Sequence, residues 1–347
     1  MSTLWQNFKQ AALLGEPKQV PVALIVDSPW LPGYAGIDTR DYFLFQDKWL
    51  EINLGLLERF PGAVWLPGFW VEYGMAAEPS AFGAKMRFHA DSPPSVEPVV
   101  TDLGGWSEVK PANPTEDGLM PLVLRLYEVT EERLRAEGLG IRMVCARGPM
   151  TIASWLMGVT PLMMGLVTDP DLVYHILDAL TTTIIRWLRA QLDTLHEPEG
   201  IMLLDDVVGM VSRRHYQSLI HPLLRRIFDE FEGLLRVYHN DTPCLHLLES
   251  LAEANFDVFN FSHELDIGEV KTQMGHRVSV MGNVPPLDIG VRGTAGEVEQ
   301  WAERCLSRGA KGGGMILSFG GGVSPGTPPE SIDALLEAAR NWSQTHP

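Results

Sequence analysis

His239 and Asp241 stand two residues apart at the end of the apolar run RVYH. In an extended chain that spacing puts both side chains on one face. An imidazole beside a carboxylate there is an acid/base pair or part of a metal site. Asp241 has a competing use as the cap of a helix starting at Thr242–Pro243, since Asp is a favoured capping residue. A metal would need a third ligand, for which Asp206 and Glu264 are the candidates. Asp205 and Asp206 follow the run IMLL. Paired acids can hold a donor-rich heterocycle or split their pKa values. Asn283, in MGNVPP, carries an amide able to donate to and accept from a ring edge; its plain alternative is a turn residue ahead of Pro285–Pro286. Arg147 can grip a carboxylate or pair with Asp205. Trp30, Tyr34, Phe69, Trp70 and Tyr73 can stack a flat ligand, although core packing is the commoner use of such rings. Gly321, in the run Gly320–Gly322, allows close backbone approach to a ligand. Cys244 reads as a buried small apolar residue, and His263 as structural.

These residues share one kind of position. Each of the runs that they follow is short, apolar and bounded by helix-like segments. Eight such runs are found: Val20–Val26, Ala63–Pro67, Ile141–Arg147, Ile201–Asp205, RVYH, FDVFNF, RVSVMG and Gly314–Phe319. Eight parallel-type strands with intervening helices predict a closed (β/α)8 TIM barrel, whose chemistry collects at the C-terminal ends of the strands. Helices are expected over Asp41–Phe60, from Asp169–Pro170 to Leu195, after Ser212, after Thr294 and from Pro329 to Trp342. The whole of 1–347 reads as a single barrel domain, with a Pro-, Gly- and Ser-rich excursion over its mouth at about 75–113. A doubly wound open sheet is disfavoured, because no glycine-rich phosphate fingerprint follows the first strand.

The net charge of -17 disfavours nucleic acid and anionic membrane as partners. No apolar run is long and charge-free enough to span a bilayer, and MSTLWQNFKQ lacks the features of a signal peptide. A cytoplasmic protein with free thiols at Cys145, Cys244 and Cys305 is expected. Oligomeric state is left open.

The ordered set GPMTIASWLMG, TDPDLVYHIL, LLDDVVGMVSRRHYQSLIHPLLRRI, the stretch from HNDTPCLHLLES through RVSVMGNVPP, and LSFGGGVSPGTPPESIDALLEAAR resembles the uroporphyrinogen decarboxylase superfamily. That group includes the decarboxylase and corrinoid-dependent methyltransferases, and the resemblance implies a (β/α)8 barrel. Two departures narrow the implication. The decarboxylases carry an arginine-rich RQAGRY-like segment after the first strand, where this chain reads DSPWLPGYAG with no arginine before Arg40. A tetrapyrrole bearing many carboxylates is therefore a poor expectation. The thiol-methylating members share an H-x-C motif and a later Cys; the matching positions here are His239, Asp241 and Gly321, so a thiolate zinc site cannot form.

The resemblance thus implies methyl transfer between a corrinoid (cobalamin), carried on a separate corrinoid-binding protein, and a small acceptor. Tetrahydrofolate is the favoured acceptor, because it needs no thiol activation. Asp206, His239, Asp241 and Asn283 are the expected catalytic residues. Asp205, Arg147, Trp30, Trp70, Glu264 and Gly321 are the expected binding residues, with no metal. The alternatives are a zinc-dependent corrinoid methyltransferase with altered ligands acting on a thiol or methyl ether, a metal-free decarboxylase of a small cyclic acid, and a module that only binds folate or corrinoid.

Overall fold

The computed structural model describes residues 3–71, 73–74, 76–100 and 102–346. Met75, the first residue of the expected excursion, lies outside them. Among the described residues the strands are β1 Val22–Ile25, β2 Ala63–Leu66, β3 Lys85–Arg87, β4 Ser95–Glu97, β5 Met143–Arg147, β6 Gly200–Leu204, β7 Leu235–Asn240, β8 Val258–Phe261, β9 Ser279–Val284 and β10 Met315–Phe319. β3 and β4 form a separate antiparallel hairpin between β2 and the helix Met120–Ala136. The other eight make one parallel sheet in the order β2-β1-β10-β9-β8-β7-β6-β5. This is the (β/α)8 barrel, with one correction: the ring is not closed by hydrogen bonds. No ladder joins β2 to β5 among the described residues. A slot of about 340 Å³, lined in part by Val64, Trp65 and Arg142, lies at that seam.

Period-2 alternation sorts the strand residues into two cores. Ala23, Ile25, Val64, Leu66, Met143, Cys145, Met202, Leu204, Val237, Val258, Met281 and Ile316 share the inner cluster. Trp5, Phe8, Ala11 and Ala12 of the helix Thr3–Ala12 join them, so this helix plugs the barrel. It is fastened by the Ser279 hydroxyl, which donates to the Ala11 carbonyl at 2.6 Å. The intervening strand residues, such as Leu24, Val144, Leu203, Tyr238 and Phe259, pack outward against the helices. Apolar side chains on both faces are what a doubly covered parallel sheet demands.

The helix expected as one piece over Asp41–Phe60 is two, Thr39–Leu44 and Gln46–Arg59, broken at Phe45 in an extended conformation. Asp38 rather than Asp41 begins the first piece, accepting from Arg40 N at 2.8 Å. Asp169 and Thr294 cap their helices as expected, the latter in a capping box with Glu297. Among the described residues, no single helix is long and apolar enough to cross a membrane.

Candidate active site

The inner cluster is apolar up to the level of Ile25, Cys145, Leu204, Val237, Val258 and Ile316. One pleat further along the same strands the residues become Asp27, Arg147, Asp206, His239, Asn260 and Ser318. The barrel therefore ends in a polar layer laid on an apolar floor. Charges there are partly stripped of water by their surroundings, which strengthens their interactions.

At its centre, one ligating atom from each of Asp206, His239 and Asp241 lies within 4.8 Å of the other two. His239 Nε2 is 3.3 Å from Asp206 Oδ1. The same Oδ1 accepts from Asp241 N at 3.1 Å. On its other side, His239 Nδ1 lies 2.7 Å from Asn260 Oδ1, and the two residues are register partners in β7 and β8. The expected cap at Asp241 is not made. No helix starts at Thr242, whose N–H donates to Asn240 Oδ1 at 2.9 Å, and Asp241 is left exposed at the mouth. Gly321 flanks it: a Cβ there would sit 3.4 Å from Asp241 Oδ2, and its φ of +139° favours glycine.

The electrostatics follow from crowding. The Asp241 carboxyl is raised above its ordinary range, first by lost hydration and then by the charge of Asp206, against the pull of His239 and His263. Asp27 is pushed up to about 6 by burial, against the attraction of Arg147 and His239. Arg147 lies with its guanidinium 4.7 Å from the centre of the Trp70 ring. The backbone N–H of Arg147 donates to Glu78 Oε1 at 2.9 Å, and burial raises the Glu78 carboxyl.

Four expected site residues are elsewhere. Asp205 has the outward parity of Leu203, and its carboxylate accepts from Met150 N at 3.3 Å, Thr151 N at 2.7 Å and Thr151 Oγ1 at 2.8 Å. It is fully buried as the anchor of the helix Pro149–Met157. Burial lifts it to about 7 against those hydrogen bonds. Asn283 donates both amide protons to the turn after β8, to Ser262 O at 3.1 Å and Leu265 O at 2.7 Å. Its oxygen faces the Cys305 thiol, away from the mouth. Trp30 is 1% exposed and gives its indole N–H to Thr327 O at 2.9 Å, so it is core. Glu264 is exposed and lines a separate groove of about 140 Å³ with Asn283, Trp301 and Arg304. The third candidate ligand is therefore Asp206. Cys244 is buried, and burial pushes its thiol up to about 12.

Asn260, Asp27 and Glu78 escaped sequence reasoning. The first two carried a signal: each stands two residues past an inward apolar residue, Val258 and Ile25. Glu78 lies in a four-residue helix of the excursion and carried none.

A TIM barrel with a His–carboxylate cluster at the C-terminal mouth defines a broad enzyme-like class. The uroporphyrinogen decarboxylase family model matches residues 32–342. This chain belongs to that family. It is 25% identical over 262 residues to the uroporphyrinogen decarboxylase of Parasynechococcus marenigrum, covering 72% of this chain and 70% of that one. It is 24% identical over 310 residues to the Salmonella dublin protein of the same name, covering 84% and 82%. Among solved structures it resembles a methyltransferase from Methanosarcina mazei, with a TM-score of 0.84, 21% identity and 99% of each chain covered. A B12-independent methionine synthase from Shewanella superimposes with a TM-score of 0.62 at 11% identity, over 93% of this chain and 98% of that one. At these identities the structural likenesses are of fold.

One consequence concerns Asp27. Its folded-state pKa is raised, so it favours the native state most below its unfolded pKa near 3.8, and that contribution is lost as pH rises through about 6. Asp27→Asn should therefore gain stability relative to the parent between about pH 4 and 7, by up to about 3 kcal/mol, and no further above that. Urea denaturation across that range measures it.

Proposed function

We propose that this chain moves a methyl group between a corrinoid presented by a partner protein and a small oxygen-bearing molecule at the barrel mouth. The observation that carries this reading is the convergence of Asp206, His239 and Asp241 within 4.8 Å, with no thiolate among them. Two carboxylates and an imidazole suit a divalent cation that prefers oxygen and nitrogen donors. A set with Asp206 in place of Glu264 meets the need for a third ligand. A cation held there would supply positive charge to the oxygen from which a methyl group leaves.

The chain's own residues supply the rest. Asn260 orients His239 through Nδ1. Asp206 holds the backbone of Asp241 through its N–H. Arg147, stacked on the Trp70 ring, adds positive charge beside Asp27 in the polar layer. A corrinoid presented at the mouth would supply the nucleophile for the methyl carbon, while the carbon–oxygen electron pair would stay on the substrate oxygen, which would then take a proton from solvent. Methyl ethers are the first donors to test. Tetrahydrofolate as acceptor loses two of the residues invoked for it, because Asp205 and Asn283 are engaged outside the mouth.

The test follows the corrin absorbance after mixing the protein, loaded with Zn²⁺ or Mn²⁺, with cobalt(I) cobalamin and a panel of methyl ethers. Metal-dependent formation of methylcobalamin is the expected result. Transfer only from methyl-tetrahydrofolate would move the reading back to folate, and no transfer from either would overturn it. The name of the relatives favours a second reading, decarboxylation. Carbon dioxide release from small cyclic acids, without change in the corrin spectrum, would establish it instead.

A further inference from the structure

We propose that Asn260 is a positioning residue that selects the tautomer of His239, and so leaves the Nε2 lone pair free to ligate a cation held together with Asp206 and Asp241. The inference rests on the reading that His239 Nε2 binds a cation. Its chemistry is nonetheless set by four groups alone.

Asn260 is fully buried. Its Nδ2 lies 2.9 Å from Met281 O and 3.1 Å from Phe319 O. Both neighbours can only accept, so both amide protons are committed to β9 and β10. An oxygen in that place would face two carbonyl oxygens, so the amide has one acceptable orientation. Oδ1 is then left facing His239 Nδ1 at 2.7 Å. An amide oxygen can only accept, so Nδ1 must carry the proton. In the neutral ring this leaves Nε2 without one.

Nε2 points at Asp206 Oδ1, 3.3 Å away. Two acceptors do not face each other at that distance unless a cation, either a proton or a metal ion, is shared between them. A free imidazole more often carries its proton on Nε2. Two neighbouring strand carbonyls, acting through one buried amide, reverse that preference here. Such outer partners of ligating histidines commonly set metal affinity by about 10–100-fold.

The experiment uses the full chain labelled with ¹⁵N-histidine. Long-range ¹H–¹⁵N spectra of the metal-free protein report the tautomer of His239, assigned by loss of its signals in His239→Gln. Mn²⁺ binding is followed in parallel by electron paramagnetic resonance. The expected result is an Nδ1–H ring or a doubly protonated one in the parent. Asn260→Ala should shift the neutral form toward Nε2–H and weaken Mn²⁺ binding by about 10–100-fold. A parent ring protonated on Nε2 alone would overturn the proposal, whether or not the variant folds. So would a folded Asn260→Ala with unchanged tautomer and unchanged affinity. If the parent binds Mn²⁺ and the variant binds it equally well, Asn260 loses its role while the cation reading stands. If the tautomer changes as expected but neither protein binds Mn²⁺ or Zn²⁺, the cation reading fails and the role of Asn260 stands.

Discussion

His239→Ala is expected to lower the rate of methyl transfer by about 10²–10⁴-fold and to abolish tight binding of a divalent cation. The imidazole is the one nitrogen ligand in the cluster, and its side chain is 6% exposed. Removing it leaves the Asp206 and Asp241 carboxylates facing each other without the partial relief that His239 gives. It also leaves Asn260 Oδ1 without its donor in a fully buried site. Water can refill the space but cannot reproduce both bonds in fixed geometry. Asp206→Ala should come close to this effect, because it removes a ligand and the acceptor for Asp241 N together. Glu264→Gln should leave binding and rate near those of the parent, since Glu264 lies in the other groove. Isothermal titration with Mn²⁺ and Zn²⁺, paired with the corrin assay, separates the three variants. If Glu264→Gln is the damaging substitution, the ligand set is His239, Asp241 and Glu264, and the present assignment is wrong.

That contrast also marks what was legible in the sequence. All eight barrel strands were visible, because a parallel sheet covered on both faces must be written as short apolar runs. The helix starts at Asp169 and Thr294 were visible because capping chemistry is local. The site was only half visible. His239 and Asp241 are two apart and share an inward face, so alternation found them. The same rule, applied from Met202 and Leu204, separates Asp206 from Asp205; adjacency in sequence had kept them together as a pair. Asp205 anchors the helix that starts 56 residues earlier, at Pro149, and local pattern does not report a contact of that range. Asn283 likewise answers to two carbonyls, at Ser262 and Leu265. Trp30 follows β1, which by position alone suggests a mouth aromatic, but its N–H is satisfied by Thr327, far along the chain. The missing β2–β5 ladder had no sequence signal, since an unpaired strand edge and a paired one can carry the same apolar residues.

Gly148→Ala is expected to destabilise the protein by about 3 kcal/mol or more, the sum of an overpacked core and a lost helix anchor. Gly148 precedes the helix Pro149–Met157, and its backbone (φ -78°) would suit any residue. The obstacle is space. A Cβ there would stand 2.3 Å from Asp205 Cγ and Oδ2, and 2.4 Å from Asp205 Cβ. Asp205 has little room to retreat, because Met150 N, Thr151 N and Thr151 Oγ1 hold its carboxylate. Its own N–H is bonded to His239 O at 3.0 Å. Pushing Asp205 aside therefore strains the joint between β6 and β7 and moves the adjoining Asp206, so cation affinity should fall along with stability. The double variant Gly148→Ala/Asp205→Gly separates the two causes. With the whole side chain gone, its Cβ included, the clash is relieved, and the pair should cost less than the sum of the single changes by at least about 1 kcal/mol. Urea denaturation of the four proteins closes the cycle. Additive costs would mean that Gly148 and Asp205 do not touch, and the outward placement of Asp205, on which the choice of Asp206 as the mouth acid rests, would have to be abandoned.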